Sequence, residues 1–264
     1  MGFLQTLLLG TVAGLTIFLG LPFAKLQNLS KSLGAFLNAL ATGILIFLLW
    51  DIISKASEPI IAALADAQKG NSGSFILLLL LFVGGFGLGL LSLVYFEGRF
   101  IKNTIKGAKS PGVSPLQLSI MIAVGIGLHN FSEGLAIGQA AATNALTLAT
   151  ILIVGFGAHN ATEGFGIAAP LTTMEKRPSW KFIGLVGIIG GGPTFLGTLI
   201  GYSIHSDAIF VLFLSLAAGS ILYVISELLH VGRSLGVRQL AMWGVFIGFF
   251  LGFGTDLILT WAGV

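Results

Sequence analysis

Eight runs of predominantly apolar residues, each roughly 20 long, leave little of this chain for anything else. They fall near 3–22, 33–54, 75–96, 116–142, 145–170, 181–203, 207–230 and 239–262 of the 264 residues. A helix of that length crosses the hydrocarbon core of a bilayer with its backbone polar groups satisfied internally. The runs are long and single, not short and alternating, so they read as helices and not as barrel strands. Charged residues make up 9% of the chain, against about a quarter in soluble domains. The fold class is therefore an all-α integral membrane protein with eight transmembrane helices. Cysteine is absent, which excludes disulfides, thiolate metal sites and cysteine nucleophiles. The chain is apolar from Phe3 onward with no basic stretch before it, so the first run reads as a spanning helix and not as a cleaved leader.

Charge placement orients the spans. Connections 1–2, 3–4, 5–6 and 7–8 hold Lys25, Lys31, Arg99, Lys102, Lys106, Lys109, Lys176, Arg177, Lys181, Arg233 and Arg238. The other side has only Lys55 and Lys69. Basic residues mark the cytoplasmic side, so both termini are expected outside, in a multi-pass protein of a prokaryotic cell membrane. The net charge of +3 reflects this topology and calls for no nucleic acid. Within the third connection, Ser114-Pro115 reads as the N-cap and first residue of span four.

Two spans carry the same costly motif at mid-length: His129-Asn130-Phe131-Ser132-Glu133-Gly134 and His159-Asn160-Ala161-Thr162-Glu163-Gly164. Ionisable residues at membrane depth cost several kcal/mol unless paired, hydrated or metal-bound. In each motif His and Glu are four apart and share one helix face, about 6 Å along the axis from each other. The turn between these spans falls near Thr143–Asn144, at almost equal distance from both histidines, so the imidazoles should be level. The helices are antiparallel, so Glu133 lies one turn toward the outside and Glu163 one turn toward the cytoplasm. Imidazole with carboxylate suits Zn, Fe, Mn, Co, Ni or Cd ions.

The repetition extends beyond the motif. Residues 41–54 of span two align without a gap on 217–230 of span seven, Gly43 under Gly219 and Asp51 under Glu227. Weaker echoes pair Gly10-Thr11 and Gly14 with Gly197-Thr198 and Gly201, and Phe82-Val83-Gly84 with Phe246-Ile247-Gly248. The paired spans run in opposite directions, which suggests inverted repeats, about 3–96 and 181–262, around a central pair, about 116–170. Such a 3+2+3 arrangement is typical of transporters with a midplane site. No connection is long enough for a second domain, so 1–264 reads as one transmembrane transporter domain.

The two motifs, with Leu135-Ala136-Ile137-Gly138 after the first, resemble the fourth- and fifth-span signatures of the ZIP (zinc-regulated, iron-regulated transporter-like) divalent metal transporters. The resemblance covers the whole chain. It implies a main transport site of His129, Glu133, His159 and Glu163. Asp51-Ile52-Ile53-Ser54 stands where the family's second span carries a ligand, so Asp51 is implied as a fifth. Many members hold two metals side by side with two further carboxylates; Asn160 and Gly192 occupy those places here. One main metal is therefore expected, with Asn130 and Asn160 as auxiliary oxygen ligands or hydrogen-bonding support. The family's histidine-rich loop is absent between Glu97 and Pro115.

Other features read more plainly. Glu227 and His230, three apart near the cytoplasmic end of span seven, either form a metal exit station or reach to the interface. Asp256 reads as a local partner, and Glu58, Asp66, His205 and Asp207 as solvated groups of the outer connections. The glycine runs at 84–87, 190–192 and 248–254 permit close helix packing, and glycine-rich faces also suit a homodimer. Two rival functions were weighed: an intramembrane metal-dependent hydrolase and a proton-coupled solute carrier. The hydrolase wants an open metal position and a general base, and the His-Glu-x-x-His pattern is not met. The expected function is non-enzymatic: inward transport of a divalent metal, zinc first and Fe2+, Mn2+ or Cd2+ next, by alternating access, the metal being cargo and not cofactor. Ligation needs neutral imidazole, so uptake is expected to weaken as pH falls through the histidine range near about 6.5.

Overall fold

Local chemistry sets where the helices begin. The Ser114 hydroxyl accepts from the Gln117 N–H at 3.4 Å, and the Ser114 N–H donates to Gln117 Oε1 at 3.0 Å. This reciprocal cap opens α4 (Pro115–Ala142), with proline at its first position as expected. Ser30 caps α2 (Lys31–Ala67) and Ser179 caps α6 (Trp180–Ser203) by accepting from the Leu33 and Phe182 N–H groups, without a reciprocal bond. The computed structural model describes residues 2–26, 30–96, 113–142, 157, 159–204, 206–234 and 238–261. The other helices are α1 (Phe3–Leu15), α3 (Gly73–Phe96), α5 over residues 159–168, α7 (Asp207–Ser234) and α8 (Arg238–Trp261). Seven stretches among the described residues are long and apolar enough to cross a membrane, and the structure is all-helical there. The expected turn at Thr143–Asn144, most of the third connection and His205 lie outside the described residues.

Three boundaries differ from expectation, each for a physical reason. Helix α2 does not end at 54 but runs 37 residues to Ala67, about 55 Å of helix. Its extension is rich in good helix formers, Ala, Lys, Glu and Leu, and Ala63 packs in a small cluster with Leu78 and Val211. Lys55, Glu58 and Asp66 therefore sit on a helix and not in a connection. Pro59 within it removes the donor that the Lys55 carbonyl would otherwise receive. Span one leaves the α conformation at Leu15 and continues as 3-10 turns over Thr16–Leu19 and Leu21–Lys25. The Thr16 hydroxyl donates to the Ala13 carbonyl at 2.6 Å, and Pro22 prevents a regular ladder. After α5 the chain tightens likewise over Ala169–Thr173, where Pro170 sits.

Helix α4 forms the centre: 78% of its most apolar window is buried, against 17% for α3 and 22% for α8, which lie at the periphery of the described bundle. The main core joins Ile122 and Ile126 of α4 with Leu45, Leu48 and Ile52 of α2, Ile221 and Val224 of α7, and Ile17, Leu21 and Ile167. At the end bearing the basic connections, the Lys25 ammonium donates to the Pro178 carbonyl and lies over the Trp180 ring.

Glycine crossings fix the repeat register. A Cβ on Gly43 would strike the Val245 carbonyl and the Phe249 N–H of α8; one on Gly219 would strike the Phe86 carbonyl and the Leu90 N–H of α3. Gly244 and Gly248 abut Phe36, Ala39 and Leu40, as Gly85 and Gly89 abut Leu212, Ser215 and Leu216. These contacts interchange under the 43-to-219 alignment, so α3 matches α8 with Gly85 and Gly89 over Gly244 and Gly248. The Gly84-to-Gly248 echo was five residues out of step. Similarly, Gly20 meets Ala161 and Phe165 as Gly197 meets Phe131 and Leu135, while Gly14 and Gly191 meet each other. Helix α1 therefore matches α6 with Gly14 over Gly191 and Gly20 over Gly197, ten residues from the Gly10-to-Gly197 echo. Of the three glycine runs, Gly84, Gly87 and Gly254 meet open space and make no such crossing.

Overpacking a helix crossing costs about 1–3 kcal/mol or more. Gly43→Val and Gly219→Val are thus predicted to lower the detergent-solubilised melting temperature by similar amounts. Gly184→Val, where a Cβ meets nothing within 4 Å, should leave it nearly unchanged. Thermal unfolding of the three variants against the parent protein checks this.

Candidate metal centre

The helical spacing of the two motifs does what periodicity demands. On α4, His129 Nε2 lies 3.3 Å from Glu133 Oε1; on α5, His159 Nε2 lies 3.5 Å from Glu163 Oε1. The helices then bring the motifs together. The imidazole centroids are 6.0 Å apart, and Glu163 Oε1 also lies 3.9 Å from His129 Nε2. One ligand atom each from His129, Glu133 and His159 lie within 4.8 Å of one another. The two imidazoles lie beside each other, and Glu163 reaches both of them from its own turn. All four side chains are buried, at most 4% exposed.

Among the described residues, His129 Nε2, His159 Nε2, Glu133 Oε2 and both Glu163 oxygens have no hydrogen-bond donor or acceptor partner. A buried acceptor left in this state costs about 1–3 kcal/mol, more when charged. Here several such electron pairs converge on one point, which is the arrangement a cation completes. Imidazole plus carboxylate is a borderline donor set that takes divalent first-row ions and cadmium.

The two asparagines hold the helices at the distance this requires. Asn130 Nδ2 donates to the Gly190 carbonyl of α6, and Asn160 Nδ2 to the Ala13 carbonyl of α1, both at 3.0 Å. Gly190 and Ala13 are equivalent in the register fixed by the glycines, so one device is used twice. In both residues Nδ2 is committed and Oδ1 is buried without a partner.

Asp51 is buried on α2, and its Oδ2 accepts from Lys55 Nζ at 2.8 Å. The charges of both residues reach His129, Glu133 and His159. At the other end of the bundle, Glu227 is half-buried and His230 exposed, apart from the central group. Asp207 is exposed at the start of α7, as are Glu58 and Asp66, with Asp66 paired to Lys69 at 3.0 Å.

Two participants escaped the sequence reading. Lys55 was assigned to a connection, although its place four residues after Asp51 is a helical ion-pair signal. Thr255 of α8 gave no signal, because its contact is tertiary. Its Oγ1 lies 3.4 Å from His159 Nδ1. The Thr255 hydroxyl donates to the Gly252 carbonyl at 2.7 Å, which leaves its oxygen placed to accept from the imidazole. The tautomer with the proton on His159 Nδ1 uses that acceptor and leaves the Nε2 electron pair directed at the carboxylates. Thr255→Val keeps the shape and loses the acceptor. It is predicted to weaken zinc binding about ten- to a hundredfold, while Thr255→Ser retains most of it. Isothermal titration of the purified variants measures the difference.

Comparison with known proteins meets this geometry from the other direction. The sequence pattern of the family described as ZIP Zinc transporter matches residues 103–255. The chain is 29% identical over 260 residues to a protein named zinc transporter ZupT from Chlorobium chlorochromatii, covering 93% of this chain and 92% of that one. It is 30% identical over 265 residues to a zinc transporter ZupT of Oceanobacillus iheyensis, covering 94% of each. With the family pattern spanning both metal motifs and the likeness running nearly end to end, this multi-pass membrane protein belongs to the ZIP zinc transporter family.

Proposed function

We propose that the protein carries divalent metal ions, zinc first, into the cytoplasm through the His129, Glu133, His159 and Glu163 site. The observation that carries this reading is the convergence of two imidazoles and two carboxylates, buried and short of partners, at mid-depth of an apolar bundle. The zinc named in both relatives agrees with this donor set, and Fe2+, Mn2+ and Cd2+ satisfy the same chemistry. Asn130 Oδ1 and Asn160 Oδ1 are auxiliary ligands, held ready by their anchored amides. Asp51 is the outermost ligand, and Glu227 with His230 lines the way out to the cytoplasm.

The transport step follows from what these residues do. Carboxylates at the outer end take the hydrated ion from water, and each imidazole or carboxylate that binds replaces a water. Burial keeps competing water out, and lysine and arginine lie mainly at the cytoplasmic ends. Repeats α1–α3 and α6–α8, packed in interchangeable register, rock against the α4–α5 pair to open one side and then the other.

Proteoliposomes given zinc, iron(II), manganese or cadmium test the proposal. Saturable uptake by the parent protein and its loss in a His129→Ala/His159→Ala double variant are the expected results. If folded protein moves none of the four, the proposal fails. A protonated imidazole has no electron pair for a metal, so the sign of the pH effect is fixed: uptake falls on acidification. Initial rates at about pH 5 should be well below those at about pH 7.5 at equal metal concentration and driving force. Equal rates would remove the imidazoles from the ligand set.

A further inference from the structure

Lys55 is a cation beside a site that exists to bind cations. Its side chain is 33% exposed and its Asp51 partner 7% exposed, so the ammonium lies where the buried donors begin to meet the outside. Asp51 stands twenty residues after Lys31 on α2 and Glu133 eighteen after Pro115 on α4, about 30 Å and about 27 Å of helix from the same end of the bundle. Lys55 is one turn farther out. From the outside inward Lys55 comes first, then Asp51 and Glu133 at nearly the same depth, and then the imidazoles. Glu133 and Asp256 also lie within electrostatic reach of the ammonium. A divalent ion arriving at Asp51 must share a carboxylate whose Oδ2 the ammonium already holds.

The repeats make the placement more telling. Under the alignment that sets Asp51 over Glu227, Lys55 falls over Val231. Two halves that match at their glycine crossings and their asparagine bonds differ here. The outer acid has a lysine one turn beyond it and the inner acid has a valine. The four-carbon stem lets the ammonium swing aside toward water without moving the helix.

We propose that Lys55 is a tethered competitor of the transported ion, holding Asp51 until a doubly charged ion displaces it and then returning to Asp51 behind the ion. The inference rests on the transport reading above. Its consequence is selection by charge. A divalent ion has twice the Coulomb attraction of the ammonium for the carboxylate, and sodium or potassium has no such advantage over it. The device also weakens net affinity at the outer end and so favours release inward.

Reconstituted parent protein, Lys55→Met, Lys55→Gln and Lys55→Arg are compared for zinc uptake, with and without about 0.1 M sodium in the medium. Methionine keeps most of the stem and loses the charge; arginine keeps the charge. Lys55→Met and Lys55→Gln are expected to lower the half-saturation concentration roughly three- to tenfold and to lower the maximal rate. Sodium should inhibit both variants more than the parent. Lys55→Arg returns all three readouts toward the parent values. In an Asp51→Asn background the Lys55→Met effect should largely vanish, since the competition is for that carboxylate. An unchanged or raised half-saturation concentration in the charge-removed variants overturns the inference, as does equal sodium sensitivity. Should Lys55→Met fail to fold, Lys55→Gln carries the same decision. Loss of uptake by the parent protein itself counts against the transport reading instead, so the two failures are separable.

Discussion

The constraint on which this molecule turns is the free energy of leaving polar atoms dry. Two imidazoles and two carboxylates lie almost fully buried in a bundle whose core is predominantly apolar. Each acceptor without a donor there costs more than a typical hydrogen bond contributes. A fold keeps such a group when something outside the chain completes it. Much of the rest of the structure serves to hold those four side chains near one another. Asn130 and Asn160 tie α4 to α6 and α5 to the end of α1 through backbone carbonyls. The glycines of α1 and α6 let these helices approach until backbone meets backbone. Larger side chains at those crossings would push α4 and α5 outward and separate the donors.

A second theme is symmetry and where it stops. Helices α2 and α7, α3 and α8, and α1 and α6 exchange roles in their glycine contacts, and the asparagine bonds obey the same exchange. Equivalent packing of inverted halves is the architecture typical of transporters with a midplane site. The departures from symmetry then become informative. Thr255 of α8 offers His159 Nδ1 a hydroxyl oxygen, and its counterpart in α3 is Phe96. Lys55 accompanies Asp51, whereas Val231 follows Glu227.

Much of the fold was legible because the relevant physics is local. Apolar length, a serine before a helix and a four-residue His–Glu spacing are properties of a stretch of chain. The helix start at Ser114, and the facing of His129 with Glu133, came out as read. The strong repeat between spans two and seven also held, because aromatic and acidic residues mark its register. The weak repeats were placed five and ten residues out of step. Glycine is plentiful in membrane helices, so a glycine-on-glycine match carries little register information until the partner backbone is seen.

Sequence by itself determined the class of structure, the polar motifs that must face inward and the chemistry of the donors, since burial cost and helical periodicity act within one segment. Tertiary structure decided which donors meet and which atoms are left without partners. It also revealed that α2 carries Lys55 against Asp51, and that a threonine from α8 orients His159. Those outcomes depend on distances between helices far apart in the chain. Such distances are set by backbone contact at glycines, where there is no side chain to announce the neighbour in advance.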